Sequence, residues 1–311
     1  MIVVEGLTKV YGDVVAVDDI SLHVKKGDIF GLIGPNGAGK TTTIKMLTSV
    51  LPPTRGRIFI SGIDLLEEPR EIYPLLGYVP DFFGLYEDLT VVEYLTYFAR
   101  LYSAIIPLKE RRKRVEGVID RVRMNPLRGH FVGGLSRGQR QCLVIAKTLL
   151  HDPQILIMDE PTAGLDPDTR ILLRRILKDL QQAGKTVLIS SHLLVDLTGF
   201  CNAIGIMRRG RLVEAGDIET LSRKYMGFRI AEMDVVQGID AISRILERKP
   251  RVKDVVIEGT HVTLRFDGSP TDLAELAYEL SLEGIKFSSF IDRQETIEDM
   301  YLKIISAATV A

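Results

Sequence analysis

The feature that most constrains this chain is a glycine-rich loop between an apolar strand and a helix. The loop GPNGAGKT, residues 34–41, follows the strand-like segment IFGLIG and precedes TTTIKMLTSV, whose apolar spacing is that of a helix. Its glycines let backbone N–H groups turn inward around phosphate oxygens, and the helix N-terminus adds partial positive charge. Lys40 would place a positive charge on the outer phosphates, and the Thr41 hydroxyl would reach Mg²⁺. The arrangement predicts nucleotide binding.

A second apolar segment, ILIMDE at residues 155–160, ends in two carboxylates. A buried strand of this kind delivers a carboxylate to the metal at its carboxyl end, and here that residue is Asp159. Glu160 lies one residue further along, projects differently and is placed to orient or polarise an attacking water. On these residues alone, the pair could also simply open the loop EPTAG. Together with the phosphate loop, the pair favours hydrolysis of the nucleotide.

These two motifs fit many phosphate-loop ATPases and GTPases, and a third motif narrows the choice. Leu135, Ser136, Arg137, Gly138 and Gln139 (LSRGQ) open the helical run RQCLVIAKTLL. A serine hydroxyl and a glycine backbone at a helix N-terminus form a second anion-binding surface. The LSxGQ arrangement resembles the signature motif of ATP-binding cassette (ABC) proteins. In that family, the signature of one subunit closes over the nucleotide held by the other.

Further matches to the ABC family fall along residues 1 to about 220. Tyr11 matches the aromatic residue on which adenine stacks, although by itself it would be a tyrosine of a surface turn. Gly164, Leu165 and Asp166 resemble the loop that crosses the dimer interface. His192 ends the segment TVLISSH and resembles the switch histidine that contacts the γ-phosphate, although a lone histidine at a strand end is usually a packed or capping residue.

The resemblance implies nucleotide sites shared between two copies of the chain, so that a homodimer would have two working sites. Their catalytic residues would be Lys40, Glu160 and His192. Their ligands for Mg²⁺ would be Thr41, Asp81 and Asp159. Their nucleotide-binding residues would be Tyr11, Gly34, Pro35, Asn36, Gly37, Ala38, Gly39, Lys40, Thr41, Thr42, Asp81, Leu135, Ser136, Gly138, Gln139 and Asp166.

The sequence departs from the family at the end of the segment GYVP. ABC proteins place a glutamine there, which reaches the metal and the water and relays the nucleotide state to the transport partner, whereas this chain has Asp81. An aspartate can bind Mg²⁺ directly, but it adds negative charge beside the γ-phosphate and cannot donate a hydrogen bond. Slower turnover is one hypothesis, and an Asp81→Gln variant that hydrolyses no faster would count against it. Arg137 replaces a residue of the common glycine pair in the signature. Cys142 replaces a frequent arginine and is expected to pack as a small apolar residue.

Composition indicates which binding partners and which cellular compartment are expected for the chain. The 311 residues are 46% hydrophobic and 26% charged, which is typical of a globular protein. With 40 Lys and Arg against 41 Asp and Glu, the net charge of −1 argues against nucleic-acid binding. Cys142 and Cys201 have no neighbour at metal-ligand spacing, which favours a reducing cytosol and metal binding through oxygen. The amino terminus lacks the features of a signal peptide, and no segment has the length of an apolar membrane helix.

The alternation of strands and helices predicts an α/β fold, with residues 89–124 helical. The resemblance makes this fold a phosphate-loop NTPase of the ABC cassette type over residues 1–220, with a mixed sheet core and a helical subdomain at about 85–150. Over residues 221–311 the predicted order is strand, helix, two strands, helix, strand and helix, which indicates a separate small α+β domain. Its length, order and ending, ETIEDMYL, look like the accessory or regulatory appendage of ATPases that serve ABC-2 type exporters.

We therefore expect the ATPase subunit of an ABC transporter of the ABC-2 export type, a group that includes drug-resistance and sodium-efflux systems. ATP and Mg²⁺ would be its cofactors. Its partners would be a second copy of the chain and separate transmembrane permease subunits, with no nucleic acid, and the permease would hold it peripherally on the cytoplasmic face of the membrane. Three alternatives remain: a soluble non-transport ABC ATPase that acts as a mechanical switch, an importer ATPase, and a nucleotide-binding module that hydrolyses poorly.

Overall fold

The computed structural model describes residues 1–194, 197 and 199–310. It divides into two compact units, Met1–Ile218 and Glu219–Ala311, and this division lies close to the boundary expected after residue 220. Within the described residues, no helix combines the length and the apolar character that crossing a membrane requires. Each unit has its own sheets and its own core, and each is described by itself below.

The elements of the first unit follow one another in the order expected of an α/β chain. Its strands are β1 (Ile2–Tyr11), β2 (Val14–Val24), β3 (Ile29–Ile33), β4 (Arg55–Ile60), β5 (Ile63–Asp64), β6 (Leu76–Val79), β7 (Ile155–Met158), β8 (Thr186–Ser191), β9 (Ala203–Arg208) and β10 (Arg211–Asp217). Its helices are α1 (Lys40–Leu47), α2 (Pro69–Ile72), α3 (Val91–Leu101), α4 (Leu108–Arg121), α5 (Arg137–Leu149) and α6 (Pro167–Gln182).

The sheet that positions the phosphate loop has six strands in the order β10-β9-β3-β8-β7-β6. Its strands run parallel, except that β10 pairs antiparallel with β9. β3, β7 and β8 are buried along their whole length, as strands covered on both faces must be. Because these three strands are neighbours, their carboxyl ends meet at one edge of the sheet. The predicted parallel sheet is confirmed, while the sequence pattern does not indicate the antiparallel edge hairpin.

A separate four-stranded sheet, in the order β2-β1-β4-β5, is antiparallel throughout. Ile2 and Val4 alternate along β1 on the buried face and share a core with Ile44 of α1 and Ile155 of β7. This core joins the two sheets to the helix that follows the phosphate loop. The mixed sheet core expected from the resemblance therefore consists of one mainly parallel sheet and one antiparallel sheet.

The region expected to form the helical subdomain contains α3, α4 and α5. The sequence predicts one helical stretch over 89–124, and this is wrong at residues 102–107, where the chain leaves the helix between α3 and α4. Pro107 immediately precedes α4. A helix running through residue 107 would be disfavoured there, because proline has no N–H to donate and is tolerated only at a helix start. α3 begins at a capping box formed by Thr90 and Glu93. Cys142 is buried on α5, as expected.

The second unit has the order predicted from sequence from β11 onward, and an additional helix, α7, precedes that strand. Its elements are α7 (Ile218–Tyr225), β11 (Arg229–Gln237), α8 (Ile239–Leu246), β12 (Val252–Glu258), β13 (His261–Phe266), α9 (Pro270–Leu282), β14 (Lys286–Gln294) and α10 (Ile297–Val310). The four strands form an antiparallel sheet in the order β12-β13-β11-β14, whose apolar face shares a core with α8 and α9. The predicted α+β pattern is confirmed for this unit.

A buried carboxylate lies near the end of the second unit. Glu295 accepts backbone N–H bonds from Gly227 at 3.1 Å and Phe228 at 3.4 Å. Its other oxygen pairs with Arg265 at 3.0 Å and with Lys303. The side chain is 1% exposed. These bonds tie the segment before β11 to β13 and α10 within the unit.

Candidate functional site

A cavity of about 460 Å³ lies at the edge of the six-stranded sheet, among the loops that follow β3, β6, β7 and β8. Its lining combines the phosphate loop with acidic residues and a histidine from the other loops. The lining residues are Ala16, Asn36, Gly37, Ala38, Gly39, Lys40, Thr41, Thr42, Asp81, Glu160, Ala163 and His192. The structure therefore gathers, from four separate loops, residues that the sequence analysis assigned to one site.

At Gly34 and Gly39, the phosphate loop leaves no space for a side chain. Gly39 has a φ of 101°, and a Cβ there would lie 2.6 Å from the Ala16 carbonyl oxygen. A Cβ on Gly34 would lie 2.3 Å from the Met207 carbonyl oxygen. The loop is thus packed against backbone on its outer side. This packing leaves its inner side to face the cavity.

Lys40 is 5% exposed, and its ammonium group is already held in place. Its Nζ donates to the carbonyl oxygens of Gly34 at 2.7 Å and Pro35 at 3.3 Å. The same Nζ lies 3.4 Å from Oε1 of Glu160. Gly34 and Pro35 do not line the cavity, and they act here through these carbonyls. A buried ammonium with one carboxylate neighbour is well suited to attract the terminal phosphate of a nucleotide.

Asp159 is 1% exposed and receives two hydroxyl donors. Thr41 Oγ1 donates to its Oδ1 at 3.2 Å, and Ser190 Oγ donates to the same oxygen at 2.7 Å. Ser190 also accepts the backbone N–H of Glu160 at 2.9 Å. The sequence analysis misses Ser190. The signal that could have found it is strand register, because β7 and β8 pair Met158 with Ile189, which places the next residues, 159 and 190, side by side.

Glu160 is held between a lysine and a histidine. Its Oε2 lies 2.8 Å from Nδ1 of His192 and 3.3 Å from the backbone nitrogen of the same residue, while its Oε1 faces Lys40. The backbone φ of Glu160 is 46°, in the left-handed region that side chains rarely adopt. Strained backbone of this kind persists only where its surroundings fix it. The carboxylate is therefore aimed by its loop into the cavity.

Asp81 brings a further carboxylate to the same cavity. Burial and the negative charges of Asp159 and Glu160 raise the pKa of its carboxyl group, and the positive charge of Arg137 opposes that shift. Burial is the largest cause of this shift, and repulsion of the ionised side chain by the two acids at the end of β7 adds to it. A glutamine at this position would feel no such repulsion.

The oxygen donors of the cavity fit Mg²⁺. The Thr41 hydroxyl and the Asp159 carboxylate lie together, and both are the hard oxygen ligands that Mg²⁺ prefers. Among the residues that the structure describes, no three His, Cys, Asp or Glu side chains are grouped closely enough to hold a metal by themselves. That composition suits Mg²⁺, which is usually bound by one or two protein ligands together with substrate phosphates.

The signature residues lie on other elements and do not line this cavity. Ser136 caps α5, accepting the N–H of Gln139 at 3.3 Å, while Oε1 of Gln139 accepts the N–H of Ser136 at 2.9 Å. Gly138 packs against Thr169 of α6, whose first turn is capped by Asp166. Leu135 is buried. The structure therefore brings together the phosphate-loop half of the predicted site, and it places the signature half apart from it.

Tyr11 also lies outside the set of residues that line the cavity. It ends β1, and its side chain is 46% exposed. The ammonium group of Lys9 lies 5.4 Å from the centre of its ring. An exposed ring at this position is accessible to a base, and its assignment to adenine remains a prediction.

Comparison with known proteins identifies the family. A family profile described as ABC transporter matches residues 17–163, and a profile for an AAA domain of type IV toxin–antitoxin systems matches 132–195. The bacitracin transport ATP-binding protein of Enterococcus faecalis is 33% identical over 308 residues, which cover 99% of this chain and 97% of that protein. The chain belongs to the ABC transporter ATP-binding proteins. A Nod factor export ATP-binding protein of Ralstonia nicotianae is 33% identical and is covered to 92%, and NatA of Bacillus subtilis is 37% identical over 66% of this chain and is covered to 83%.

Solved structures of ABC cassettes share the fold of this ABC protein. The ATP-binding subunit of an ABC transporter superimposes with a TM-score of 0.64 at 29% identity, over 72% of this chain and 93% of that chain. A dimeric cassette in a post-hydrolysis state, bound to ADP and Pi, superimposes with a TM-score of 0.63 at 27% identity, over 70% of this chain and 99% of that chain. The phosphate-loop ABC fold and ATPase activity expected from the sequence are confirmed at the level of the family.

Proposed function

We propose that this ABC protein hydrolyses MgATP to drive export through a separate transmembrane subunit. The observation that carries the proposal is the position of Glu160, which lies between Lys40 and His192 at the mouth of the phosphate loop. Relatives similar over most of the chain are named for bacitracin transport and Nod factor export, which supports an exporter over an importer or a non-transport ATPase.

The phosphate loop and the residues at the ends of β7 and β8 have separate roles in this mechanism. The phosphate-loop N–H groups and Lys40 bind and orient the β- and γ-phosphates. Thr41 and Asp159 would hold Mg²⁺, which neutralises charge that develops on the phosphate oxygens during transfer. Glu160 orients the attacking water and accepts its proton, and His192 fixes that carboxylate and contacts the γ-phosphate. Ser190 fixes the Asp159 carboxylate and the Glu160 backbone relative to each other, because its hydroxyl bonds both.

The signature would complete the site from a second copy of the chain. The Ser136 hydroxyl accepts one hydrogen bond in this structure, and among the described residues its own hydrogen has no acceptor. A phosphate oxygen facing the start of α5 would receive that hydrogen together with the N–H groups of the first helical turn. Ser136 and Gly138 of one copy, with Asp166 beside them, would therefore close over ATP held by the other. The assembly proposed is a homodimer with two identical sites.

The membrane partner is part of the proposal. The chain would be bound to the cytoplasmic face of the membrane by the transmembrane subunit. The transported substrate would be recognised by that subunit, and ATP binding and hydrolysis by the two copies would drive its movements.

The test is steady-state ATPase activity of the purified chain beside Glu160→Gln. Removing the negative charge that accepts the proton should lower turnover at least about 100-fold, while MgATP still binds and traps a dimer detectable by light scattering. Glu67→Gln, an exposed glutamate on the same unit, is the matched control and should hydrolyse like wild type. A Glu160→Gln variant with wild-type turnover would refute the role of Glu160.

We also propose that the second unit stabilises the dimer or regulates its closure. The second unit has a hydrophobic core of its own. A segment that served only as a linker would not need such a core. A chain that stops after Ile218 should retain MgATP binding and lose either dimer stability or the normal ATPase rate. If the shortened chain dimerises, hydrolyses and supports transport like the full chain, both roles are refuted.

A further inference from the structure

A second cavity of the first unit, of about 460 Å³, lies between α3 and α4 and shares no lining residue with the nucleotide cavity. Each of the two helices contributes one of its faces. The lining residues are Val92, Thr96, Arg100, Leu108, Arg111, Arg112, Val115, Glu116 and Arg128. The lining thus brings four guanidinium groups together with one carboxylate. We refer to it as the arginine cavity.

The positive charge of the arginine cavity is not balanced within it. Glu116, the one carboxylate of the lining, pairs with Arg128 at 2.9 Å. Among the residues that the structure describes, Arg100, Arg111 and Arg112 have no carboxylate within ion-pair distance. An anion in the cavity would therefore meet forked N–H donors that no carboxylate already holds, and this fork is the donor geometry that matches phosphate.

The excess of positive charge is confined to this side of α4. On another side of the same helix, Arg114 lies 3.7 Å from Asp152 and 3.9 Å from Glu110, so its charge has counterparts. The whole chain has a net charge of −1. Attraction of this protein to an anionic ligand must therefore come from a local surface, and the arginine cavity is such a surface.

Exposed apolar side chains lie at one end of the same two helices. Residues 102–107 join α3 to α4, so Leu101, which ends α3, and Leu108, which begins α4, lie at the same end. Leu108 is 78% exposed, Leu101 is 59% exposed, and Ile105 in the connection is 39% exposed. We refer to these three residues as the apolar tip. Because Leu108 also lines the arginine cavity, the apolar and basic surfaces are continuous.

The arginines lie a short distance behind the apolar tip. Arg100 immediately precedes Leu101, and Arg111 and Arg112 lie three and four residues into α4, which is roughly 5 Å along the helix axis. Nε of Arg111 donates to the Ile106 carbonyl oxygen at 3.3 Å, which ties this side chain to the connection. At a bilayer surface, apolar side chains enter the headgroup and acyl boundary by about 5–10 Å, while basic side chains reach the lipid phosphates. The spacing at this end of the unit suits both.

We propose that this end of the first unit binds the surface of an anionic bilayer, with a lipid phosphate in the arginine cavity and the apolar tip at the acyl boundary. A free phosphate ion would use the arginines alone and leave the apolar tip exposed to water. Single-stranded nucleic acid binds through stacking on aromatic side chains, and the cavity lining contains none. The inference goes beyond the proposed function, because it requires neither ATP hydrolysis nor a transmembrane subunit.

The test uses the purified full-length chain and protein-free vesicles. Flotation should show binding to phosphatidylcholine vesicles that contain about 30% phosphatidylglycerol, and none to pure phosphatidylcholine. Added salt should weaken the binding, because it screens the charges. The double variant Arg100→Gln with Arg112→Gln should bind at least about tenfold more weakly. Arg175→Gln with Lys178→Gln removes two exposed charges from α6 and is the matched control, which should stay within about twofold of wild type.

Fluorescence tests whether the apolar tip enters the bilayer. The chain contains no tryptophan, so a single introduced tryptophan reports on its own position. The emission of Leu108→Trp should shift to shorter wavelength with anionic vesicles and should be quenched by brominated lipid. Leu66→Trp, at an exposed leucine after β5, is the control and should show neither effect. If both tryptophans respond alike, or neither responds, insertion of the apolar tip is refuted.

The remaining outcomes separate the lipid surface from other anions. If the chain does not bind anionic vesicles, binds neutral vesicles equally well, or binds like wild type as the double arginine variant, the proposal is refuted while the ATPase proposal stands. Glycerol phosphate is the soluble probe for a small anion, and a short RNA is the probe for nucleic acid. Saturable binding of either below about 1 mM that the double arginine variant abolishes would overturn the proposal. ATPase activity without vesicles should be unchanged in every variant.

Discussion

Asp81 and Glu160 both line a cavity that must accept a highly charged nucleotide, and Asp159 is hydrogen-bonded to Thr41 of the same lining. Burial, together with the negative charges of Asp159 and Glu160, raises the pKa of Asp81. Without a divalent cation, the phosphates of ATP would add further repulsion. With the cation present, the same aspartate becomes a possible ligand for it. The substitution should therefore make nucleotide binding more dependent on Mg²⁺ than a glutamine would.

Asp81→Asn tests this dependence without changing the size of the side chain. It should raise the affinity for ATP in EDTA about tenfold, which corresponds to roughly 1.4 kcal/mol, and should change the affinity for MgATP much less. Isothermal titration or fluorescence with a labelled nucleotide measures both values. Asp88→Asn, at an exposed aspartate on the same unit, makes the same change in net charge and should leave both affinities unaltered. Equal effects of the two variants would mean that only overall charge matters.

Single residues were predictable where a motif fixes their chemistry. Lys40, Thr41, Asp159 and Glu160 are recognisable because each occupies a set place in a short pattern, and the structure brings them together. Ser190 belongs to no pattern, and its contact with Asp159 follows from the pairing of β7 with β8. Such contacts depend on which strands become neighbours, and one sequence does not reveal that order.

At the scale of elements, the starts of α5 and α6 lie against each other. A Cβ on Gly138 would lie 2.6 Å from Oγ1 of Thr169, in the first turn of α6. Arg137 lies against Gly164, where a Cβ would come within 2.4 Å of its guanidinium. Gly138 therefore has no room for a side chain, whereas Gly164 is favoured by its φ of 67°, which side chains rarely adopt. The signature and the loop before α6 therefore form one packed surface, whose geometry depends on the spacing of these two helices.

Gly138→Ala should force the two helix starts apart. The clash with Thr169 is with a short side chain held by Asp166, so we expect a loss of about 1–3 kcal/mol in the free energy of unfolding of the first unit, measured by urea denaturation. ATP-driven dimer formation should weaken as well, because the displaced surface is the one that would face the partner copy.

Two further variants separate packing from backbone effects in that experiment. Gly134→Ala lies just before the signature, where a Cβ would meet no atom within 4 Å, and it should be nearly neutral. Thr169→Ala removes the atoms that clash, so the double variant with Gly138→Ala should recover part of the lost stability relative to Thr169→Ala alone. If the double variant recovers no stability, the loss caused by Gly138→Ala arises from the helix backbone and not from the clash with Thr169.

Elements were predictable where their hydrophobic pattern is continuous. The strands β3, β7 and β8 are apolar runs, and the helix after the phosphate loop starts at a glycine-rich turn, so their existence follows from local sequence. The break between α3 and α4 was missed because a helical period continues on both sides of Pro107. The hairpin β9–β10 was missed because its second strand is half-exposed and carries no strict alternation.

At the scale of the whole molecule, two of the cores in the described residues, one in each unit, share no residue. One joins the two sheets of the first unit to α1, and the other joins the antiparallel sheet of the second unit to α8 and α9. Only the first unit contains the nucleotide cavity. Thermal unfolding should therefore show two transitions, and MgATP should raise only the one that belongs to the first unit, because a ligand stabilises the unit that binds it.

Glu295→Gln identifies the other transition. The buried carboxylate compensates Arg265 and Lys303, and removing one partner of such a group costs about 3 kcal/mol, which lowers the Tm of a unit this size by roughly 10 °C or more. Glu275→Gln, at an exposed position of α9, should leave that Tm unchanged. Calorimetry of the full chain with and without MgATP measures both transitions. A single transition that moves with both MgATP and Glu295→Gln would show that the two units unfold together, and the second unit would then affect ATP binding through stability itself.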